Sequence, residues 1–334
     1  LSDPARQALT VAESMAGILL QDFLAVSYPS VDRAALRQLQ GRGLVYVNGM
    51  RAEGPRRLSP FDYVELRVGE EELPPHRRRG EESSESDAGP KVLWESAHAL
   101  VVDKPAGITV VPDRSGENAG IHGLLPQLRP GEDLRVVHRL DRDTSGCLLL
   151  AKGLEAARHF DLQFRERLVE KRYVALVHGA VARPEFTVDA FVGPDPRRPG
   201  KMLTSPRARE DFRDARTDVL VEEAFSRHTL VCLSPKTGRS HQLRVHMQSQ
   251  GHAIVGDADY GGEPLLLSQL KRTYKIRAGL SERALLERMF LHARDVAFCD
   301  VDGVHAEVHA PLPGDLQHAL DKVASFGAMR TRRQ

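Results

Sequence analysis

Residues Gly69 to Lys91 read GEEELPPHRRRGEESSESDAGPK, with paired prolines, a basic run, an acidic serine-rich run and almost nothing apolar. No hydrophobic core can be built through such a stretch, so it is a linker. The chain of 334 residues therefore divides into a first domain at 1–68, a flexible linker at 69–91 and a second domain at 92–334. The second piece is long enough to bury a large sheet. With 47 Lys+Arg against 46 Asp+Glu and a net charge of +1, a polyanionic partner must be met by local patches and not by a global field. Cys147, Cys232 and Cys299 stand far apart in apolar segments. Their spacing argues against a disulfide framework or a zinc cluster and for buried thiols in a reducing compartment. No apolar run approaches the roughly 18 residues of a membrane span. The opening LSDPARQALTVAE lacks the basic flank and apolar stretch of a signal peptide. A cytoplasmic protein without a membrane partner is expected, and the start at Leu1 leaves room for upstream sequence.

Before the linker, AGILLQDFLAVSYP and SVDRAALRQLQGRG carry helical stripes separated by Pro29, with Ser30 as a cap and Gly41 and Gly43 as the stop. LVYVNGMRAEGPRRLSPFDYVELRV then alternates as short strands about the hairpin turn Asn48-Gly49. After the linker, KVLWESAHALVVDKPAGITVVP reads as strand, turn and strand with Pro105 and Gly107 in the turn. SGCLLLAKG is a strand, LEAARHFDLQFRERLV a helix, KRYVALVHG and TLVCLSP strands, HQLRVHMQSQG a helix and DVAFCDVDGVHAEVHAPLP further strands. The fold class is α+β, without the period of a doubly wound sheet.

The segment VVHRLDRDTSG sets Asp141 among arginines just before the apolar run from Cys147 to Ala151. A carboxylate there is costly unless paired, and it serves either as a structural ion pair or as a group kept ionised for chemistry. SPKTGRSHQLRVHM supplies Arg239, His241, Arg244 and His246, and EKRYVALVHG supplies Tyr173 between basic residues. A carboxylate, an arginine and a tyrosine are coherent as a site for a neutral planar ring carried on phosphates, and they are not a hydrolase triad. His138, His241 and His246 read as partly buried histidines bonded to backbone, with no proton transfer assigned.

From about Leu93 to Pro313 the chain resembles the RluA-type family of RNA pseudouridine synthases. HRLDRDTSG, KRYVALVHG, GRSHQLRVHM, GDADYGG and LHARDVAF fall in the family's order, and DKPAGITVVP resembles its opening segment. The resemblance implies a mixed, largely antiparallel-sheet catalytic domain that isomerises uridine in RNA without a metal or organic cofactor. It makes Asp141 the catalytic aspartate, acting by attack on the sugar or by proton abstraction that yields a glycal. Arg244 becomes its arginine partner, and Tyr173 the aromatic that packs on the ring and takes the carbon 5 proton. Arg139 enters the gap left by the flipped base, the alternative being a salt bridge to Asp141 or Asp143 that fixes the loop. Leu243 and Leu291 are pocket-lining neighbours.

From about Ala16 to Leu66 the chain resembles the S-four (alpha-L) type of RNA-binding module, with GLVYVNG as its most recognisable piece. LLQDFLA and SVDRAAL depart from that family's usual helix starts. Arg33, Arg37, Arg42 and Arg51 are expected to meet phosphates there, as are Arg197, Arg198 and Lys201 of the loop RRPGKMLTSPRAR. HRRRG in the linker could add a nonspecific phosphate contact, which EESSESD behind it opposes. The expected protein is a monomer acting on large-subunit ribosomal RNA. Transfer RNA is the alternative substrate, and a noncatalytic RNA-binding assembly factor the alternative function.

Overall fold

The structure is a computed structural model that describes residues 6–11, 15, 17–28, 31, 33–68, 89–111, 120–271, 273–274 and 281–327. The expected linker lies outside the described residues from 69 to 88, and HRRRG with it. The chain clusters into two compact units. One comprises Leu1–Arg142, Leu148–Val169 and Ala297–Val308, the other Asp143–Cys147, Glu170–Val296 and His309–Gln334.

The first unit opens with strand β1 (Arg6–Thr10), helices α1 (Leu20–Ser27) and α2 (Arg33–Gly41), and strands β2 (Val45–Val47), β3 (Met50–Arg51) and β4 (Tyr63–Arg67). The strands form an antiparallel sheet in the order β1-β4-β2-β3. Val45, Val47, Val64 and Leu66 are buried, as are Leu20, Phe23 and Leu24 of α1 and Leu36 and Leu39 of α2. The strand rows follow the two-residue period and the helix rows the three-to-four-residue period. Asn48 and Gly49 both have positive φ, 54° and 77°, which is the tight hairpin turn their sequence predicts.

The same unit continues with β5 (Lys91–Glu95), β6 (Ala99–Lys104), α3 (Gly120–Leu128), β7 (Leu134–Val136), β8 (Ser145–Lys152), whose first three residues belong to the second unit, and α4 (Gly153–Arg165). Strands β5 and β6 form an antiparallel hairpin turned at Ser96, whose Oγ accepts the N–H groups of His98 and Ala99 at 3.1 and 2.9 Å. The expected turn at Pro105 and Gly107 therefore does not join two strands but leads out of β6. Strand β8 lies beside β6, and β7 pairs antiparallel with β8. Leu148, Leu149 and Leu150 have no exposed surface, and Trp94, Phe298 and Phe160 stack edge to face with centroids 5.5 Å apart.

The N-terminal elements are in contact with β7 and α4. Arg135 on β7 is buried, donates to the Ser27 carbonyl at the end of α1, pairs with Asp133 at 2.8 Å and lies 5.3 Å over the Tyr28 ring. Burial pushes the Tyr28 hydroxyl up to about 12, with Arg135 opposing it. On α4, burial pushes Asp161 up to about 7 against Arg165 and the Thr10 hydrogen bonds. Direct packing, and not tethering alone, joins the N-terminal elements to the chain after Lys91.

The second unit contains β9 (Glu170–His178), β10 (Glu185–Pro194), β11 (Met202–Ser205), β12 (Arg213–Ala224), β13 (His228–Pro235), α5 (Gln242–Ser249), α6 (Leu267–Leu270) and α7 (Gly314–Gly327), while β14 (Leu291–Cys299) begins in it and ends in the first unit, to which all but the last residue of β15 (His305–His309) belongs. Its strands run in the order β11-β10-β12-β13-β9-β14, with antiparallel registers from β11 to β9. The first residues of β8 pair in parallel with β14 at Ser145 and Gly146, so the sheet is mixed. Strand β9 is apolar from Tyr173 to Val177, and Val174–Val177 are buried because both faces of the strand are covered there. Val174 and Leu176 belong to a cluster with Leu316, Ala319 and Val323 of α7. Ala175 and Val177 belong to one with Leu243 and Met247 of α5. The expected loop RRPGKMLTSPRAR is shorter than its composition suggested, because Met202–Ser205 pairs with β10 as β11.

Gly146 sits where β8 and β14 begin to pair, at φ 112°, and a Cβ there would fall 2.2 Å from the Ala293 carbonyl oxygen. Both conditions exclude any side chain. Gly146→Ala is expected to lower the unfolding free energy by at least about 3 kcal/mol. Urea denaturation checks this, and a loss below about 1 kcal/mol would show that the strands separate at little cost.

Candidate active site

In the first unit, the residues between β7 and β8 are not strand, although their neighbours are apolar and paired. This loop carries Arg139 and Asp141. It is anchored behind Asp141 by Lys104, which has no exposed surface and whose Nζ donates to the carbonyls of Pro105, Ile108 and Arg142 at 2.8, 2.7 and 3.0 Å. The Gly107 N–H adds a bond to the Arg142 carbonyl at 2.9 Å. A buried ammonium is tolerated because three carbonyl dipoles replace its water. At the front of the loop, buried His138 accepts the Leu149 N–H on Nε2 at 2.9 Å and stacks on Phe164 at 4.8 Å. His138 is a buttress, as expected. Burial pulls the Arg139 guanidinium below its ordinary value, and the charge of Asp141 opposes that shift.

In the second unit, α5 starts after His241, which is left-handed at φ 54°. Gln242 fixes that end: its Oε1 accepts from Thr237 Oγ1 and the Arg239 N–H at 2.7 and 3.0 Å, and its Nε2 donates to the Arg216 carbonyl and Thr217 Oγ1 at 3.0 Å each. Leu243 and Met247, one turn apart, join the apolar cluster that includes Leu291 and against which Tyr173 packs. The expected aromatic and both pocket-lining leucines therefore share one cluster, with the leucines buried at 6% and 3% exposure and Tyr173 half-buried at its edge.

Arg244, one residue along the helix from Leu243, is buried and turned to the segment Asp257–Tyr260. Its Nε and Nη2 donate to the two carboxylate oxygens of Asp257 at 2.8 and 2.7 Å, Nη2 also reaches Asp259 at 3.1 Å, and the guanidinium lies 4.8 Å over the Tyr260 ring. This bidentate grip fixes the guanidinium plane. Tyr260 is fully buried; its hydroxyl accepts the Met202 N–H and meets His241 Nδ1, both at 2.8 Å. Asp257, Asp259 and Tyr260 were not singled out individually in the sequence, though an acid pair inside GDADYGG was the available signal. Lys104, in DKPAG, was missed in the same way.

The basic residues separate into groups. Arg37, Arg42 and Arg51 are exposed in the first unit, with the Arg51 guanidinium lying against Gly43, and of Arg33 only its place at the start of α2 is described. Arg197, Arg198 and Lys201 lie in the second unit, on the turn between β10 and β11. Arg198 is paired with Asp195 at 2.7 Å and reaches the Asp259 carbonyl at 3.1 Å, and Lys201 is paired with the Asp259 carboxylate. Lys201, and then Arg244, hold the Asp259 carboxyl below its ordinary value against the opposing effect of burial.

Among the described residues no helix is long and apolar enough to cross a membrane, and no group of three or more His, Cys, Asp or Glu could hold a metal. None of the three cysteines is in a disulfide; Cys147 and Cys232 are buried as expected, whereas Cys299 is only half-buried.

The first unit thus carries Asp141 on a firmly anchored loop, and the second carries a buried Arg244 and a half-buried Tyr173 on the α5 side of β9. Residues 98–249 match the family described as RNA pseudouridylate synthase. The ribosomal large subunit pseudouridine synthase C of Vibrio cholerae is 33% identical over 324 residues, covering 95% of this chain and 96% of that protein. The protein of the same name from Salmonella typhi is 33% identical over 331 residues, covering 96% and 98%. Among solved structures, human RNA Pseudouridylate Synthase Domain Containing 1 superposes with a TM-score of 0.53 at 28% identity, covering 70% of this chain and 87% of that one. The chain belongs to the RluA-type family of RNA pseudouridine synthases.

Buried His228, His246 and His292 are each pulled down to about 4, in each case chiefly by burial. His246 Nδ1 meets Thr217 Oγ1 at 3.0 Å, while His292 meets Ser145 Oγ at 2.9 Å and the Ala310 carbonyl at 3.2 Å. An unfolded histidine binds its proton near about 6.5, so unfolding takes up protons between about 6.5 and 4. Stability is fully present above that window and falls as pH drops through it. His292→Asn should flatten the slope of unfolding free energy against pH by up to about 1.4 kcal/mol per unit. Urea denaturation between about pH 7.5 and 4.5 measures it, and an unchanged slope would contradict a neutral His292.

Proposed function

We propose that this enzyme converts uridine to pseudouridine in large-subunit ribosomal RNA, with Asp141, Tyr173 and Arg244 as its catalytic residues. The observation that carries the reading is the pair of rigidly held charges. Asp141 lies on a loop tied down by Lys104, and Arg244 is fixed in its plane by Asp257. Neither arrangement stabilises a fold cheaply, since buried charges cost several kcal/mol to desolvate. Both suit a reaction in which a carboxylate must stay ionised while a base is detached, rotated and rejoined.

The glycosidic bond to nitrogen breaks, the uracil turns, carbon 5 bonds to the sugar and its proton leaves. Asp141 acts on the sugar, by direct attack or by proton abstraction to a glycal. By the family resemblance Arg244 is the arginine partner of that carboxylate. Tyr173, presented from the edge of an apolar cluster, offers a ring face to the uracil and a hydroxyl to the carbon 5 proton, directly or through water. Arg139 fills the space of the extruded nucleotide, which costs a few kcal/mol to flip. Arg33, Arg37, Arg42 and Arg51 on the N-terminal elements and Arg197, Arg198 and Lys201 on the β10–β11 turn meet the RNA backbone. The cytoplasm is the compartment in which such a substrate is met, and the protein acts as a monomer.

The named relatives favour ribosomal over transfer RNA. A noncatalytic assembly factor has no need of Asp141, Tyr173 and Arg244 together, and all three are present. Asp141→Asn keeps the shape and removes the charge. It should lower isomerisation by at least about a thousandfold, with RNA affinity within about threefold. Tyr173→Phe keeps a stacking surface worth about 1–3 kcal/mol and should lose turnover with little loss of binding. Single-turnover kinetics with filter binding check both. A D141N rate within about tenfold of the parent would remove Asp141 from the chemistry, and a Y173F turnover equal to the parent would reduce Tyr173 to a platform.

A further inference from the structure

Three cations converge on Asp259. Its Oδ2 accepts from Arg244 Nη2 at 3.1 Å, its Oδ1 pairs with Lys201 Nζ, and its carbonyl accepts from Arg198 Nη1 at 3.1 Å. Asp259 is 41% exposed in its side chain, whereas Asp257, which holds the same guanidinium, is 1% exposed. The two acids are therefore not equivalent: one is sealed and permanent, the other stands at the surface with one oxygen on each of two cations.

Lys201 and Arg198 lie on a closed turn, where the Lys201 N–H bonds to the Arg198 carbonyl at 3.0 Å and the Asp195 N–H to the Lys201 carbonyl at 2.9 Å. Arg197 stands exposed on the same turn. A phosphodiester oxygen reaching this turn meets the cation that Asp259 holds and competes for it. Because Asp259 spans Lys201 and Arg244, a change in what Lys201 holds changes the carboxylate that Arg244 Nη2 meets.

We infer that the β10–β11 turn is a phosphodiester-binding site, and that Asp259 couples its occupation to the setting of Arg244. Asp259 is thus a positioning residue that senses whether RNA backbone lies on the turn. The inference rests on the reading of Arg244 as the partner of the catalytic carboxylate.

The test is a double-mutant cycle on the purified full chain with an unmodified large-subunit ribosomal RNA transcript, with kcat and KM measured separately. Lys201→Met should raise KM about fivefold and lower kcat about threefold. Asp259→Asn should lower kcat about tenfold with KM within about twofold. In the D259N background, K201M should still raise KM but leave kcat unchanged, because the link is already cut. Effects on kcat that multiply independently, or a D259N kcat equal to the parent, overturn the coupling. Arg244→Met in the same assay separates the two readings. If R244M turns over normally, the assignment of Arg244 fails. If R244M is inactive while D259N is normal, only the coupling fails. Thermal melting accompanies each variant, and if D259N melts early the cycle is read with Asp259→Glu, which displaces the charge by one methylene; independent effects on kcat again overturn the coupling.

Discussion

The buried guanidinium of Arg244, gripped on two nitrogens by Asp257 and backed by the Tyr260 ring, is the interaction on which the second unit is organised. Removing one partner of such a pair leaves a charge in a place without water, at a cost of about 3–5 kcal/mol. The pair therefore dictates the path of the chain around it. Gly256 and Gly262 bracket Asp257, and a Cβ at Gly262 would fall 1.8 Å from the Ile254 carbonyl oxygen, so the segment must turn tightly to place its acid. Tyr260, locked by Met202 and His241, ties the same segment to β11 and to the start of α5. One ion pair thus fixes a helix end, a strand and a turn.

The sheet supplies the second constraint. Since successive side chains on a strand face opposite ways, β9 divides its apolar residues between two cores. Tyr173 falls on the side of α5, the helix that carries Arg244. A one-residue slip of β9 would send Tyr173 to the α7 side. The antiparallel register of Tyr173 with Leu233 in β13 guards against this. In the first unit the equivalent control is Lys104, which holds the loop of Asp141 through carbonyls and so fixes backbone.

Much of this was legible in the sequence, for identifiable reasons. The hairpin at Asn48-Gly49 was readable because only a few residue types accept two consecutive positive φ values, and α4 because its stripe is long. Asp141 stood out as a carboxylate set just before an apolar run, whereas Arg244 and the role given to Tyr173 came from the family resemblance. Other features were hidden because they depend on distant partners. Strand β1 has a mixed composition and exists by pairing with Tyr63–Arg67. Strand β11 lies in a stretch of turn formers and charges, and its place is set by β10. Helix α7 does carry an apolar stripe, Leu316, Ala319, Leu320 and Val323, but its place against β9 depends on distant partners. Lys201 and Arg198 look like free surface cations in the sequence, yet Asp259 and Asp195, remote or acidic neighbours, hold them.

The account is tested most directly by the fate of the hydrogen on carbon 5, which leaves only if the base is reattached through that carbon. Purified protein is incubated with unmodified transcripts of large-subunit ribosomal RNA and of transfer RNA, each carrying tritium at carbon 5 of uridine, and released tritium is counted. The account predicts release from the large-subunit transcript to a stoichiometric plateau, with none from transfer RNA. Release from transfer RNA alone, or none from either, would contradict it.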